Sequence, residues 1–352
     1  MKRFVVLTVV LALAALTARL RAEPPPVEPD DLSLAEPALL AKAERLRAAG
    51  ALLDKDRVAA ALGARRSKPL NLKLPDASKK PMEPREIAAR ARRALVRIGW
   101  YYRCPDCKEW HVNLAGGYAL TADGIAATCF HCVDPAEDKG MRAGFLVAMD
   151  SEGTLLPITE ILSRDKEMDA AVVRVAGGRF TPLALNAQAM PGDAVYLYSD
   201  PEGVAGYFSA GIVNRFYWNE SASGPGVETL AGARKLRMNV STDWAPGSSG
   251  APVLDRCGNV VAHVSTVGYI TEDENEDGAA PAPGTPKPKG RHKPAPKWCT
   301  TMVLRDAIPA LAVKLLLEAA AEPETGAAVA GKSDARGPST PVRAANPSQE
   351  KP

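Results

Sequence analysis

Three short segments carry side chains able to act together as a nucleophile and its activators. The first is GGYALTADGIAATCFHCV, which starts at Gly116 and contains His131. The second is DKEMDAAVVRV, which starts at Asp165 and contains Asp169. The third is TDWAPGSSGAPVL, which starts at Thr242 and contains Ser249. A serine hydroxyl is a poor nucleophile at neutral pH. It needs an imidazole to take its proton, and the imidazole needs an acid to fix its tautomer and stabilise the imidazolium. The oxyanion that develops needs donors fixed in advance, commonly backbone N–H groups. Gly247, Ser248, Ser249 and Gly250 form a small-residue turn that can aim such groups.

Each segment alone is weak. A G-x-S-G turn is common, and a lone histidine is more often a satisfied core residue than a base. Histidine is scarce here, however: only His111, His131, His263 and His292 occur. Asp165 rivals Asp169, and Ser248 rivals Ser249, although the Gly-x-Ser-Gly-x-Pro frame selects Ser249. The six cysteines, Cys104, Cys107, Cys129, Cys132, Cys257 and Cys299, admit two readings. Disulfides would tie the turn at 104–107 to the His131 turn and join Cys257 to Cys299. Alternatively, Cys104, Cys107, Cys129 and Cys132 would form a four-thiolate zinc site.

The elements that must position these groups are short strands. From Ala94 to about Ile270, short apolar runs such as IAAT, DAAVVRV, AVYLYS and NVVAHVSTV alternate with Gly, Pro, Asp and Asn. That pattern predicts an all-β sandwich or barrel. No long amphipathic helix intervenes, which argues against a parallel βαβ sheet. Residues 23–34 read as a linker, residues 35–64 as one or two helices, and residues 65–84 as an extended, ungrouped basic segment. A helix follows at about 84–93. Residues 271–297 read as a flexible insertion and 319–352 as a disordered tail. WCTTMVL returns as a strand, and DAIPALAVKLLLEAAA reads as a terminal helix.

These segments resemble the trypsin-like serine proteases, most closely the HtrA-like (Deg) branch. That branch carries a Gly-Ser-Gly strand, an Asp-Gly turn, Thr-Asn-x-His-Val, Asp-x-Ala-Val and Pro-Gly-Asn-Ser-Gly-Gly-Pro. This chain offers GGYALTADGIAATCFHCV, DAAVVRV and PGSSGAPVLD in the same order, and the resemblance covers about 94–317 apart from the insertion. It implies a double antiparallel β-barrel over 94–318, with His131 as general base, Asp169 as orienting acid, Ser249 as nucleophile and Gly247 and Ser249 as oxyanion-hole amides. The implied activity is endopeptidase hydrolysis of proteins or peptides without a cofactor. A catalytically idle binding protein of the cell envelope is the alternative. Three positions depart from the branch: Cys129 two before the histidine, Cys132 after it, and Ala251 two after the serine. No segment reads as the PDZ domain that many relatives carry. Asp243 matches either the specificity-pocket acid of trypsin or the Thr-Asp of the HtrA branch. Ser265 is a candidate to bond the acid or to line the substrate site.

Lys2 and Arg3 precede a 13-residue uncharged run, Phe4 to Leu16, and a polar stretch to Ala22. That is shorter than the ~20 apolar residues of a membrane span and suits a signal peptide over residues 1–22. An uncleaved anchor is the competing reading. Export to the periplasm or medium follows, and it permits disulfides. The net charge of +3 and the absence of a basic stripe with interleaved aromatics argue against nucleic acid. Oligomeric state is not legible.

Overall fold

The computed structural model describes residues 36–64, 69–137, 141–219, 235–272 and 299–318. Within them, two antiparallel β units lie side by side, preceded by a helical extension. The N-terminal segment read as a signal peptide, most of the insertion and the tail lie outside the described residues. Among the described residues, no helix is long and apolar enough to cross a membrane.

The first unit is built from β1 (Leu53–Asp54), β2 (Arg97–Arg103), β3 (Trp110–Ala115), β4 (Tyr118–Ala119), β5 (Ile125–Thr128), β6 (Ala143–Met149), β7 (Leu155–Asp165) and β8 (Ala170–Val175). Its order is β3-β2-β6-β7-β8-β5-β4, with β1 added on β6. β3 and β4 stand at opposite ends of this order yet are joined by only Gly116 and Gly117, so the sheet rolls up on itself. The second unit is a closed barrel of β9 (Ala194–Ser199), β10 (Tyr207–Trp218), β11 (Leu236–Val240), β12 (Pro252–Asp255), β13 (Val260–Glu272) and β14 (Cys299–Pro309), in the order β10-β11-β14-β13-β12-β9.

β5 and β8 read as continuous apolar runs because both their faces are covered. Ala126, Ala171 and Val173 face the first barrel's core, while Ile125, Ala127 and Val172 pack into the larger cluster shared with the second barrel. This double burial draws the two barrels together and leaves a crevice at their edge.

The segment before the barrels is part of the fold. α1 (Glu36–Ala48) buries Leu39 and Ala43 against Tyr101 and Val147 of the first barrel. α2 (Lys55–Gly63) starts on Asp54, whose carboxylate accepts from the N–H groups of Asp56 and Arg57 at 3.0 and 2.9 Å, and it inserts Val58 into the first core. Residues 69–83 were expected to be ungrouped. Instead, Leu70, Leu72, Leu74 and Met82 pack on the second barrel. The Leu70 N–H donates to Leu317 O at 2.8 Å, and Asn259 grips Ser78 through two bonds of 2.8 and 2.9 Å. α3 (Pro84–Ala94) opens with proline at its first turn, and Glu86 accepts from the Glu83 N–H at 2.9 Å. It buries Ile87, Ala91 and Ala94. The terminal helix α5 (Ala310–Glu318) begins four residues later than DAIPAL suggested, because Asp306–Pro309 complete β14. In β14, Ala307 pairs with Met238 of β11 and Ile308 with His263 of β13.

One inter-barrel contact has no slack. A side chain at Gly116 would meet Ala251 N at 2.6 Å and the Ala251 methyl at 2.7 Å. Gly116→Ala therefore pushes the Ser249 turn away from the first barrel, and loss of folded protein or of site geometry, read by thermal melting and by Ser249 labelling, is the expected outcome. Ile87 is completely buried, so Ile87→Ala lowers unfolding free energy by about 2–5 kcal/mol in denaturant titration.

Candidate active site

His131 lies in α4 (Phe130–Val133), a single turn that follows β5 directly. Thr128, at the end of β5, anchors that turn by donating its hydroxyl to Gly116 O at 2.7 Å. Asp169 ends the tight turn between β7 and β8. Asp165 caps that turn by accepting from the Met168 N–H at 2.9 Å, so the rival acid has a structural task. Asp169 itself has φ +60°, a left-handed conformation that aspartate tolerates better than most residues. This conformation turns its carboxylate back over the His131 turn.

The carboxylate is gripped from both barrels. Both of its oxygens lie 3.0 Å from His131 Nδ1, and the His131 backbone N–H donates to Oδ1 at 3.2 Å. From β13, the Ser265 hydroxyl donates to Oδ2 at 2.6 Å. Burial raises the carboxyl's pKa, but His131 and Ser265 outweigh it and hold the pKa at about 2. Burial disfavours the charged imidazole in turn. Asp169 and the neighbouring Cys132 sulfur favour it more strongly, and its pKa lies well above the ordinary 6.5. His263 was assigned no role from sequence. It is fully buried behind this pair, with Nε2 3.3 Å from Asp169 O, and burial depresses its pKa to about 4, which keeps it neutral. A histidine buried within an apolar strand was the only sequence signal for it.

Ser249 sits between Gly247 (φ +95°) and Gly250 (φ +82°), in the turn between β11 and β12. Both glycines are required by backbone conformation and by space: a side chain at 250 would meet Thr128 Oγ1 at 2.4 Å, and one at 247 would meet Asp200 O at 2.7 Å. The turn's own bonds use the N–H groups of Ser248, Gly250 and Ala251. These bonds leave out the N–H groups of Gly247 and Ser249. Ser248 is buried, whereas Ser249 is partly exposed and lines a crevice of about 450 Å³ together with His131 and Gly247. No side-chain hydrogen bond joins Ser249 to His131, a contact that often tightens only around substrate. A second crevice of about 520 Å³ opens on the other side of His131, toward Lys166, Tyr217 and Arg237. Among the described residues of 36–93, none lines either crevice.

The buried pair Arg97–Asp200 spans the barrels beneath this turn, with Arg97 Nη2 donating to Asp200 Oδ1 at 3.1 Å. Its position below Gly247 was not legible, since the two residues are far apart in the chain.

Asp243 lies outside both crevices. It is exposed and pairs with Arg305 at 2.7 Å. Ser265 is engaged by the acid and lies beside the second crevice. The described cysteines gather differently from either expected arrangement. The five described cysteines, Cys104, Cys107, Cys129, Cys132 and Cys257, are all free thiols. The Cys299 side chain lies outside the described residues. The four thiols expected to share one zinc ion, or to bridge the hairpin to the histidine turn, fall into two separate groups, Cys104–Cys107–His111 and Cys129–His131–Cys132. The first group lies at the tip of the β2–β3 hairpin. The second lies at the barrel seam, where the Cys129 thiol donates to Val264 O at 2.9 Å and Cys132 lies 3.8 Å from Ser249 O.

Residues 115–262, which include all three catalytic candidates, match the family model of the trypsin-like peptidase domain. Among curated proteins, none matches the chain. Among solved structures, the chain is similar to the serine endoprotease from Yersinia pestis, with 17% identity and a TM-score of 0.42 over 67% of this chain and 66% of that one. Over residues 115–262 the chain is thus similar to the trypsin-like peptidase domain family.

Proposed function

We propose that this protein is a serine endopeptidase that cleaves peptide bonds through an acyl-enzyme on Ser249. The observation that carries this reading is the pairing of His131 Nδ1 with both oxygens of Asp169 at 3.0 Å, in a ring that shares its crevice with Ser249. With Nδ1 bound to the carboxylate, Nε2 is the nitrogen free to act as base. It takes the Ser249 proton as Oγ attacks the substrate carbonyl carbon. The N–H groups of Gly247 and Ser249 receive the oxyanion. His131 then returns the proton to the leaving amine as the C–N bond breaks, leaving an ester on Ser249. A water molecule, deprotonated by His131, hydrolyses that ester and releases the acid. The basic start and apolar run at the N-terminus support an exported protein acting on peptides or proteins in the periplasm or medium.

The direct test is mass spectrometry after exposure to a fluorophosphonate, which phosphonylates a serine activated by its histidine as fluoride leaves. One adduct is expected, on Ser249, and it disappears in His131→Ala. Folded protein that takes no adduct would contradict the reading and favour a binding protein. Replacing Ser249 by Ala lowers kcat by about 10⁶-fold, and Asp169→Asn by about 10⁴-fold. The pH dependence has a definite sign. Only the neutral ring accepts the serine proton, and Asp169 holds the ring's pKa above 6.5. The kcat/KM profile therefore rises with pH through a midpoint above 6.5, and Asp169→Asn moves that midpoint down.

A further inference from the structure

The β2–β3 hairpin carries a cluster that the proposed reaction does not use. Cys104, Cys107 and His111 hold their Sγ, Sγ and Nε2 atoms within 4.8 Å of one another, with Cys107 Sγ 3.1 Å from His111 Nε2. The chain reaches this arrangement by a specific turn. The Cys104 N–H donates to Glu109 O at 2.9 Å, and the Lys108 N–H donates to Cys104 O at 3.1 Å. Lys108 is left-handed, at φ +63°, an unusual state for a lysine. Register then places His111, opposite Tyr102 on β2, back over the two sulfurs.

We propose that Cys104, Cys107 and His111 form a zinc site that staples the tip of this hairpin. Two sulfurs and one imidazole are ligands that Zn²⁺ prefers, at about 2.3 Å to sulfur and about 2.0 Å to nitrogen. Donors already gathered within 4.8 Å need only a small closure to meet those lengths. Cys107 is exposed, so an ion reaches the site from solvent, and water completes the tetrahedron. The site bears on the crevice through one contact. The His111 ring centroid lies 6.0 Å from that of Tyr102, and Tyr102 lines the crevice shared by His131 and Ser249. A bound ion fixes His111 and with it the wall formed by β2 and β3. The second group, Cys129–His131–Cys132, is the competitor, but it would occupy the imidazole that the proposed reaction needs.

The test uses the full chain, purified with its thiols reduced and equilibrated with zinc, then desalted and analysed for metal. One zinc per chain is expected. It persists in the Cys129→Ser/Cys132→Ser double variant and falls to near zero in Cys104→Ser/Cys107→Ser. His111→Gln, a single change at a partly exposed position, gives the same loss should the double variant misfold. Cobalt in place of zinc shows sulfur-to-metal charge-transfer absorption, lost in the same variants. Chelation speeds amide exchange over residues 103–112. Absence of stoichiometric metal overturns the proposal, as does metal lost only with Cys129 and Cys132. A Cys104–Cys107 disulfide in metal-free exported protein overturns it too.

Discussion

One carboxylate, that of Asp169, sets the geometry of the site. It is mostly shielded from solvent where the two barrels meet, and burial alone would raise its pKa. It stays ionised because the His131 ring, the His131 backbone N–H and the Ser265 hydroxyl all converge on it, two from the first barrel and one from the second. The same contacts link stability to pH. The depressed carboxyl contributes stability above its ordinary pKa, and that contribution is lost as pH falls through about 2. The raised imidazole contributes below 6.5 and loses its contribution as pH rises through its folded value. The pair therefore supports the fold best between the ordinary carboxyl and imidazole ranges.

Holding that carboxylate requires the barrels to be fixed against each other. Several features do this independently. Ala251 rests on Gly116, Cys129 donates to Val264, and Arg97 pairs with Asp200 under the Gly247 turn. Taking both charges out of water offsets much of their attraction, so the buried Arg97–Asp200 pair constrains register more than it adds net stability. α3 and the 69–83 strap reinforce the arrangement from outside by packing on the larger cluster shared with the second barrel.

The sequence made some elements plain and hid others for physical reasons. β5 and β8 were legible because strands buried on both faces read as unbroken apolar runs. β10 was missed: YFSAGIVNRFYW is largely solvent-exposed, and only its pairing with β9 and β11 makes it a strand. β3 was missed likewise, because WHVNLA lies half-exposed at the end of its sheet. The strap at 69–83 did leave a signal, since Leu70, Leu72 and Leu74 alternate with period two, but the prolines and lysines around them masked it. The residues proposed for catalysis were legible because their turn chemistry is local: small residues around Ser249 and a threonine three before His131. The grouping of the cysteines was not legible, because it depends on how far the β2–β3 hairpin projects from the histidine turn.

In the proposed mechanism Asp169 fixes the tautomer of His131 so that Nε2 faces Ser249 as a base. Nitrogen-15 magnetic resonance of the histidine rings, followed through pH and assigned by comparison with His131→Ala, tests it most directly. The account predicts that neutral His131 carries its proton on Nδ1, with a strongly deshielded proton there and a titration midpoint above 6.5. A neutral ring protonated on Nε2, or a midpoint at or below 6.5, would contradict it.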